Sequence, residues 1–140
     1  MTIIVDTAPL VCLADNADPR REAVRKLLKT TRSRLIIPAQ VTAEVDYFLA
    51  TRFRPIAARN FVGDLAAGRF EVQCLEASDY AEVARLSLRY DGMNPGLADL
   101  SLVVLAARFK TTTLLTFDER HFRHIEPLQG GRFTLLPADA

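Results

Sequence analysis

Short apolar runs that do not alternate with polar residues punctuate this chain at Thr2 to Val5, Leu35 to Ile37 and Thr112 to Thr116. A strand with one face in water alternates apolar and polar residues, whereas a strand covered on both faces, as in a parallel sheet between helices, reads as one apolar run. Between these runs lie segments with apolar residues at helical spacing. Strand and helix therefore take turns along the chain, which predicts an α/β sandwich around a mainly parallel sheet.

The helix boundaries follow from local chemistry. Asp18-Pro19 predicts an N-cap and first position for a helix carrying Ala23, Val24, Leu27 and Leu28 on one stripe, and Pro38 opens another with Val41, Val45, Phe48 and Leu49 inward. Pro55 restarts the chain into a helix through about Ala67, closed by Gly68. Phe70 to Leu75 alternates like a strand, Ser78 to Arg89 returns to helical spacing, and Tyr90 to Gly96 reads as a turn. Asn94-Pro95 is then expected to cap the most apolar helix, Leu97 to Phe109. A short helix from Glu119 to His124 and a strand from Phe133 to Leu136 complete the reading, with a further short helix holding Pro9 near its first turn.

The chain has 140 residues, 49% hydrophobic and 25% charged, which predicts one domain over 1–140 with one core and no disordered tail. No apolar run approaches the ~18 residues of a membrane span and no leader pattern opens the chain, so a cytoplasmic location is expected. Cys12 and Cys74 have no Cys or His at metal-ligand spacing and are expected to be buried, inert thiols. The net charge of +1 does not by itself point to nucleic acid, but its placement is uneven. Basic residues cluster at Arg20, Arg21, Arg25, Lys26 and Lys29, then at Arg52, Arg54 and Arg59, and a basic rim around an acidic pit would suit a polyanion.

Four acids occupy positions that ordinary surface carboxylates do not. Asp6 and Asp118 follow apolar strands, where open α/β sheets present ligand groups, although a strand-end aspartate also caps the next helix. Asp99 interrupts a segment, Leu97 to Ala107, that is otherwise apolar but for Ser101. A carboxylate on that face must be neutralised, hydrogen-bonded or metal-bound, or must act as a first-turn acid favoured by the helix dipole. Glu44, with Val41, Val45 and Phe48 around it, lies on the apolar stripe of its helix, either as a ligand or as an edge glutamate that snorkels to water. Asp46 projects elsewhere and reads as solvated.

Carboxylates brought to ~5 Å repel by about 3 kcal/mol per pair at an effective dielectric near 20, so a divalent cation is expected among them. An all-oxygen ligand set selects hard ions, Mg²⁺ or Mn²⁺, and the usual chemistry of such a site is phosphodiester hydrolysis. His121 and His124, flanking the short helix after Asp118, are either general acid–base groups or surface histidines, and read as the latter. Arg52 and Arg54, just beyond the Glu44 helix, are either solvated or phosphate contacts.

Val5-Asp6-Thr7, Glu44 within Val-Thr-Ala-Glu-Val, Asp99 within Asn-Pro-Gly-Leu-Ala-Asp-Leu-Ser-Leu, and Thr116-Phe117-Asp118 with Phe122 behind it resemble the PIN-domain family, and closely the VapC toxins, from about residue 2 to 137. The resemblance implies a PIN-like three-layer α/β/α sandwich and an Mg²⁺-dependent endoribonuclease toxin. Such a toxin cuts structured RNA, either transfer or ribosomal RNA, stops translation, is held silent by a cognate VapB-type antitoxin, and is usually a homodimer. Carried over by position, Asp6, Glu44, Asp99 and Asp118 are the catalytic acids and metal ligands. Thr7 and Thr116 match hydroxyl positions that orient water or ligand, with Thr116 equally readable as an ordinary strand residue. Pro9 and Leu102 depart from the sequence many members show, which touches substrate fit rather than metal binding.

Two other acid-dependent folds are excluded. A phosphoacceptor receiver domain needs paired acids after its first strand and a lysine after a late one; here Asp6 stands alone and no lysine follows Lys110. An aspartyl-nucleophile phosphatase needs a second aspartate at position 8, which is alanine. A catalytically silent PIN module that binds RNA or a protein, and a nuclease acting on DNA, remain the alternatives at this stage.

Overall fold

The computed structural model describes residues 1–140. Five strands, β1 (Thr2–Val5), β2 (Arg34–Pro38), β3 (Glu71–Gln73), β4 (Thr113–Leu115) and β5 (Thr134–Leu136), form one sheet in the order β3-β2-β1-β4-β5. Every neighbouring pair is parallel. Seven α-helices flank it: α1 (Thr7–Cys12), α2 (Arg21–Thr30), α3 (Ala39–Arg52), α4 (Pro55–Ala66), α5 (Ala77–Arg89), α6 (Leu97–Arg108) and α7 (Glu119–Phe122).

The sheet faces explain the unbroken apolar runs. Ile4, Ile36, Leu114 and Leu135 point into one core with α5, α6 and Phe122, while Ile3, Val5, Ile37 and Leu115 point into a second core with α1, α3 and α4. Successive strand residues serve opposite layers, so both must be apolar. The result is a three-layer α/β/α sandwich with an entirely parallel sheet, which sharpens the expectation of a mainly parallel one and divides the expected single core between the two faces. Buried α6, with every residue from Leu100 to Ala106 inaccessible, is the most enclosed helix, in keeping with its near-continuous apolar sequence.

The chain moves from β1 outward through β2 to β3, then returns to the other side of β1 for β4 and β5. This reversal leaves a crevice beyond the carboxyl ends of β1 and β4, where the helices that follow diverge. The join between the two strands is direct, with the Asp6 amide donating to the Leu115 carbonyl at 2.9 Å.

Several local expectations are corrected. Helix α2 starts at Arg21, not after Asp18, because the Asp18 carboxylate folds back onto the Arg20 amide and guanidinium and closes a turn of its own. Asn94 does not cap α6 either: it takes a left-handed conformation at φ 48° at the end of a single 3-10 turn, Asp91–Met93, and Gly96 is the cap. Cys12 is buried as expected, but Cys74 is exposed just past the short edge strand β3.

Candidate active site

Each of the four acids is fixed by the element that delivers it. Asp6 ends β1 and caps α1, so its Oδ1 accepts from the Thr7 amide at 2.7 Å, while Oδ2 accepts from the Thr116 hydroxyl at 2.7 Å. Capping and site-building are therefore one arrangement here, not competing readings. Thr116 is 1% exposed, and its oxygen also accepts from the Asp118 amide at 3.0 Å. One hydroxyl thus ties the end of β1 to the end of β4.

Asp118 caps α7, accepting from the His121 amide at 2.9 Å. Asp99 lies in the first turn of α6, where its Oδ2 accepts from the Gly96 amide at 3.1 Å. It is half-buried, less enclosed than its apolar neighbours implied, since the first turn of α6 faces the crevice. Glu44 takes the edge position that the sequence allowed: as a residue it is exposed, at the edge of the α3 stripe, and its Oε1 accepts from the Thr7 hydroxyl at 2.7 Å. Thr7 therefore holds Asp6 with its amide and Glu44 with its side chain. Asp46 is exposed, as expected for a solvated helix residue.

All four carboxylates line a single cavity of about 610 Å³ beyond the ends of β1 and β4. A larger groove of about 780 Å³ lies near the starts of β2 and β3. Its acids, Asp64 and Glu71, are already paired with Arg69 and Arg34, so it offers no unmatched carboxylate and volume does not decide the site. Electrostatics mark the smaller cavity. Burial pushes the Asp6 carboxyl up to about 6 against the hydrogen bonds from Thr116 and Thr7, and the charges of Asp99 and Asp118 add to the rise. Asp99 is raised as well, chiefly by burial, with Asp118 and Glu44 contributing as like charges.

The expectation of two surface histidines fails at His121 while holding for exposed His124. The His121 ring is half-buried: Nδ1 lies 2.7 Å from Asp118 Oδ2 and 3.8 Å from Asp99 Oδ2, and Nε2 lies 3.1 Å from the Met93 carbonyl. Burial works against its charge, but the hydrogen bonds to Asp118 and Met93 and the negative charges of Asp118 and Asp99 outweigh it, so its pKa is raised. The sequence signal that favoured a site role over a surface one was its position three residues after Asp118, one turn along a helix.

Asp99, Asp118 and His121 offer ligand atoms within 4.8 Å of one another, a spacing that could hold a metal ion. The histidine is better placed as partner than as ligand: Nε2 faces a carbonyl, which can only accept, and Nδ1 faces a carboxylate. With Asp6 and Glu44 opening onto the same cavity, the donors are carboxylate oxygens, the chemistry of a hard divalent cation.

The pattern that defines the PIN domain matches residues 3–127. This chain belongs to the PIN-domain family. Within that family it stands with the VapC proteins: it is 37% identical over 135 residues to Ribonuclease VapC26 of Mycobacterium tuberculosis, covering 96% of this chain and 100% of the relative. Two solved structures share the PIN-domain fold. The crystal structure of Mycobacterium tuberculosis VapC20, described as a sarcin-ricin loop cleaving toxin, superposes with a TM-score of 0.77 at 17% identity over 84% of this chain and 91% of that one. VapBC2 from Rickettsia felis, bound to a DNA fragment from its promoter, gives 0.64 at 20% identity over 96% and 97%.

Proposed function

We propose that this PIN-domain protein is a metal-dependent endoribonuclease toxin that cuts structured RNA, transfer or ribosomal, and thereby inhibits translation. The observation that carries the reading is the convergence of Asp6, Glu44, Asp99 and Asp118, from β1, α3, α6 and the end of β4, onto one cavity. In this reading the four acids are the catalytic and metal-binding residues, and Mg²⁺, with Mn²⁺ as its substitute, is the cofactor. Such an ion, when bound, supplies Lewis acidity toward water and the scissile phosphodiester.

The chain's own residues do the rest. Thr7 and Thr116 lock Asp6 and Glu44 in place, so the carboxylates need little reorganisation to receive a cation. His121 aligns Asp118 and ties it to the Met93 turn. Asp6 keeps its proton up to about pH 6, because burial and two neighbouring acids disfavour its charge, so below that pH the carboxyl would have to give up its proton before it could hold a cation.

The relative named as a ribonuclease and the solved VapBC complex support the further reading that a cognate VapB-type antitoxin silences this protein. The same reading makes the protein a cytoplasmic homodimer whose single domain spans 1–140. No helix is long and apolar enough to cross a membrane.

Primer-extension mapping of total RNA after brief induction of the natural chain and of Asp6→Ala tests the activity. Discrete new 5′ ends with the natural chain alone are the expected result. Soluble protein with no new ends, or equal ends from both, would reject the ribonuclease assignment.

A further inference from the structure

Two arginines line the acidic cavity, Arg20 and Arg52. Both guanidinium groups lie on aromatic rings, Arg20 over Phe117 at 3.9 Å and Arg52 over Phe48 at 4.2 Å. Their charges are not equivalent. Arg20 is forked onto Asp18 by hydrogen bonds of 3.0 and 2.9 Å, so its charge is already matched. Arg52 takes part in no ion pair and is the one unmatched cation of the cavity wall.

The placement of Arg52 is set by α3. Glu44, Phe48 and Arg52 follow one another at four-residue steps, so they climb one side of the helix from the acid cluster to the rim, over about 12 Å at ~1.5 Å per residue. An RNA strand entering this cavity meets four carboxylates and needs a cation beside them. The ring of Phe48 covers one guanidinium face and restricts a long side chain that would otherwise lose its freedom on binding, while the N–H edge stays available for two-pronged phosphate contact.

We propose that Arg52, seated on Phe48, grips a backbone phosphate of the RNA strand that enters the cavity. This deepens, and rests on, the ribonuclease reading. A cation in the last turn of α3 also complements the helix dipole, but that role needs neither the aromatic seat nor a place in the cavity wall, and it predicts no effect on RNA.

The test uses full-length protein carrying Asp99→Asn, which removes cleavage, and a fluorescein-labelled RNA stem-loop with a single-stranded loop. Affinity is read by anisotropy between about 50 and 300 mM salt, where each phosphate contact on a single strand contributes about 0.7 to the slope of log affinity against log salt. Arg52→Gln is expected to weaken binding about tenfold and to lower the slope by about 0.7. Arg52→Lys should restore the slope but only part of the affinity, since the charge returns without the fork. Lys29→Gln, which removes a cation from the groove near the starts of β2 and β3, should change neither.

An unchanged slope in Arg52→Gln, an equal loss in Lys29→Gln, or no RNA binding by the parent protein would overturn the proposal. Cleavage with Asp99 intact is scored separately. If the natural chain cuts no RNA while Arg52-dependent binding persists, the ribonuclease reading falls and the phosphate grip stands.

Discussion

Replacing Asp6 by asparagine is expected to stabilise the metal-free protein at neutral pH and to destabilise it in acid. The Asp6 carboxyl titrates near 6 in the folded chain against an ordinary value of 3.8. The native state thus keeps this proton to higher pH than the unfolded chain does. Its contribution is fully present below about pH 4 and is lost as pH rises through 6, a loss of about 3 kcal/mol. Asparagine removes the penalty at the expense of one contact. Its carbonyl still accepts from the Thr7 amide, but its NH₂ group faces a Thr116 oxygen that already accepts from Asp118. The threonine proton is left without an acceptor, at about 1 kcal/mol. The net effect at pH 7.5 is about 2 kcal/mol of stabilisation, or roughly 6–8 °C in Tm for a chain of this size. Near pH 4 the sign reverses, to a loss of about 1 kcal/mol. Thermal unfolding followed by circular dichroism in EDTA at both pH values measures the difference directly. A variant less stable than the parent at pH 7.5, or a difference that does not change with pH, would refute the account of Asp6 as a buried acid strained by its surroundings.

Mn²⁺ binding, measured by calorimetry, should be about tenfold weaker at pH 5 than at pH 7, because the Asp6 proton must leave first; equal affinities would remove Asp6 from the ligand set. Saturating Mg²⁺ should raise the Tm of the parent chain by mass action, about 2.7 kcal/mol at a hundredfold excess over Kd, and should do so much less in Asp6→Asn. His121→Ala should speed amide exchange of Asn94, whose N–H bonds to the Asp91 carbonyl in the turn that His121 holds, by about fivefold for one lost hydrogen bond; unchanged exchange would mean that the turn stands without the histidine. Leu114→Ala, at a site with no solvent exposure in the β4 core, should cost 2–5 kcal/mol in urea unfolding, roughly the range for a buried leucine, and a loss under about 1 kcal/mol would contradict the packing described.

What was legible in the sequence were the features that repeat a physical rule over several residues. The strands declared themselves because Ile3, Ile4 and Val5 must satisfy two cores at once. Asp6 and Asp118 stood out because they end such runs, and the cavity brings together all four acids singled out by sequence. The failures have a common origin in side chains whose partners are distant in sequence or compete locally. Glu44 was read as a ligand or an edge residue of its helix, but the group that holds it, Thr7, lies 37 residues earlier and no period reveals it. His121 acquires its role from the Met93 carbonyl, 28 residues away. At Asp18 and Asn94 the capping rules named plausible residues, but a closed Asx-type turn and a left-handed backbone took precedence over helix initiation.

The bond between Thr116 and Asp6 joins residues 110 positions apart. During synthesis, the first acid of the cavity leaves the ribosome long before its partner strand exists, and β1 must wait for β4 to take its place beside it. An interrupted or prematurely terminated chain that stops before Asp118 therefore carries Asp6, Glu44 and even Asp99 without a closed site. Hazardous activity of the kind proposed would be confined to nearly complete molecules, leaving a cell that makes fragments of this protein unharmed by them.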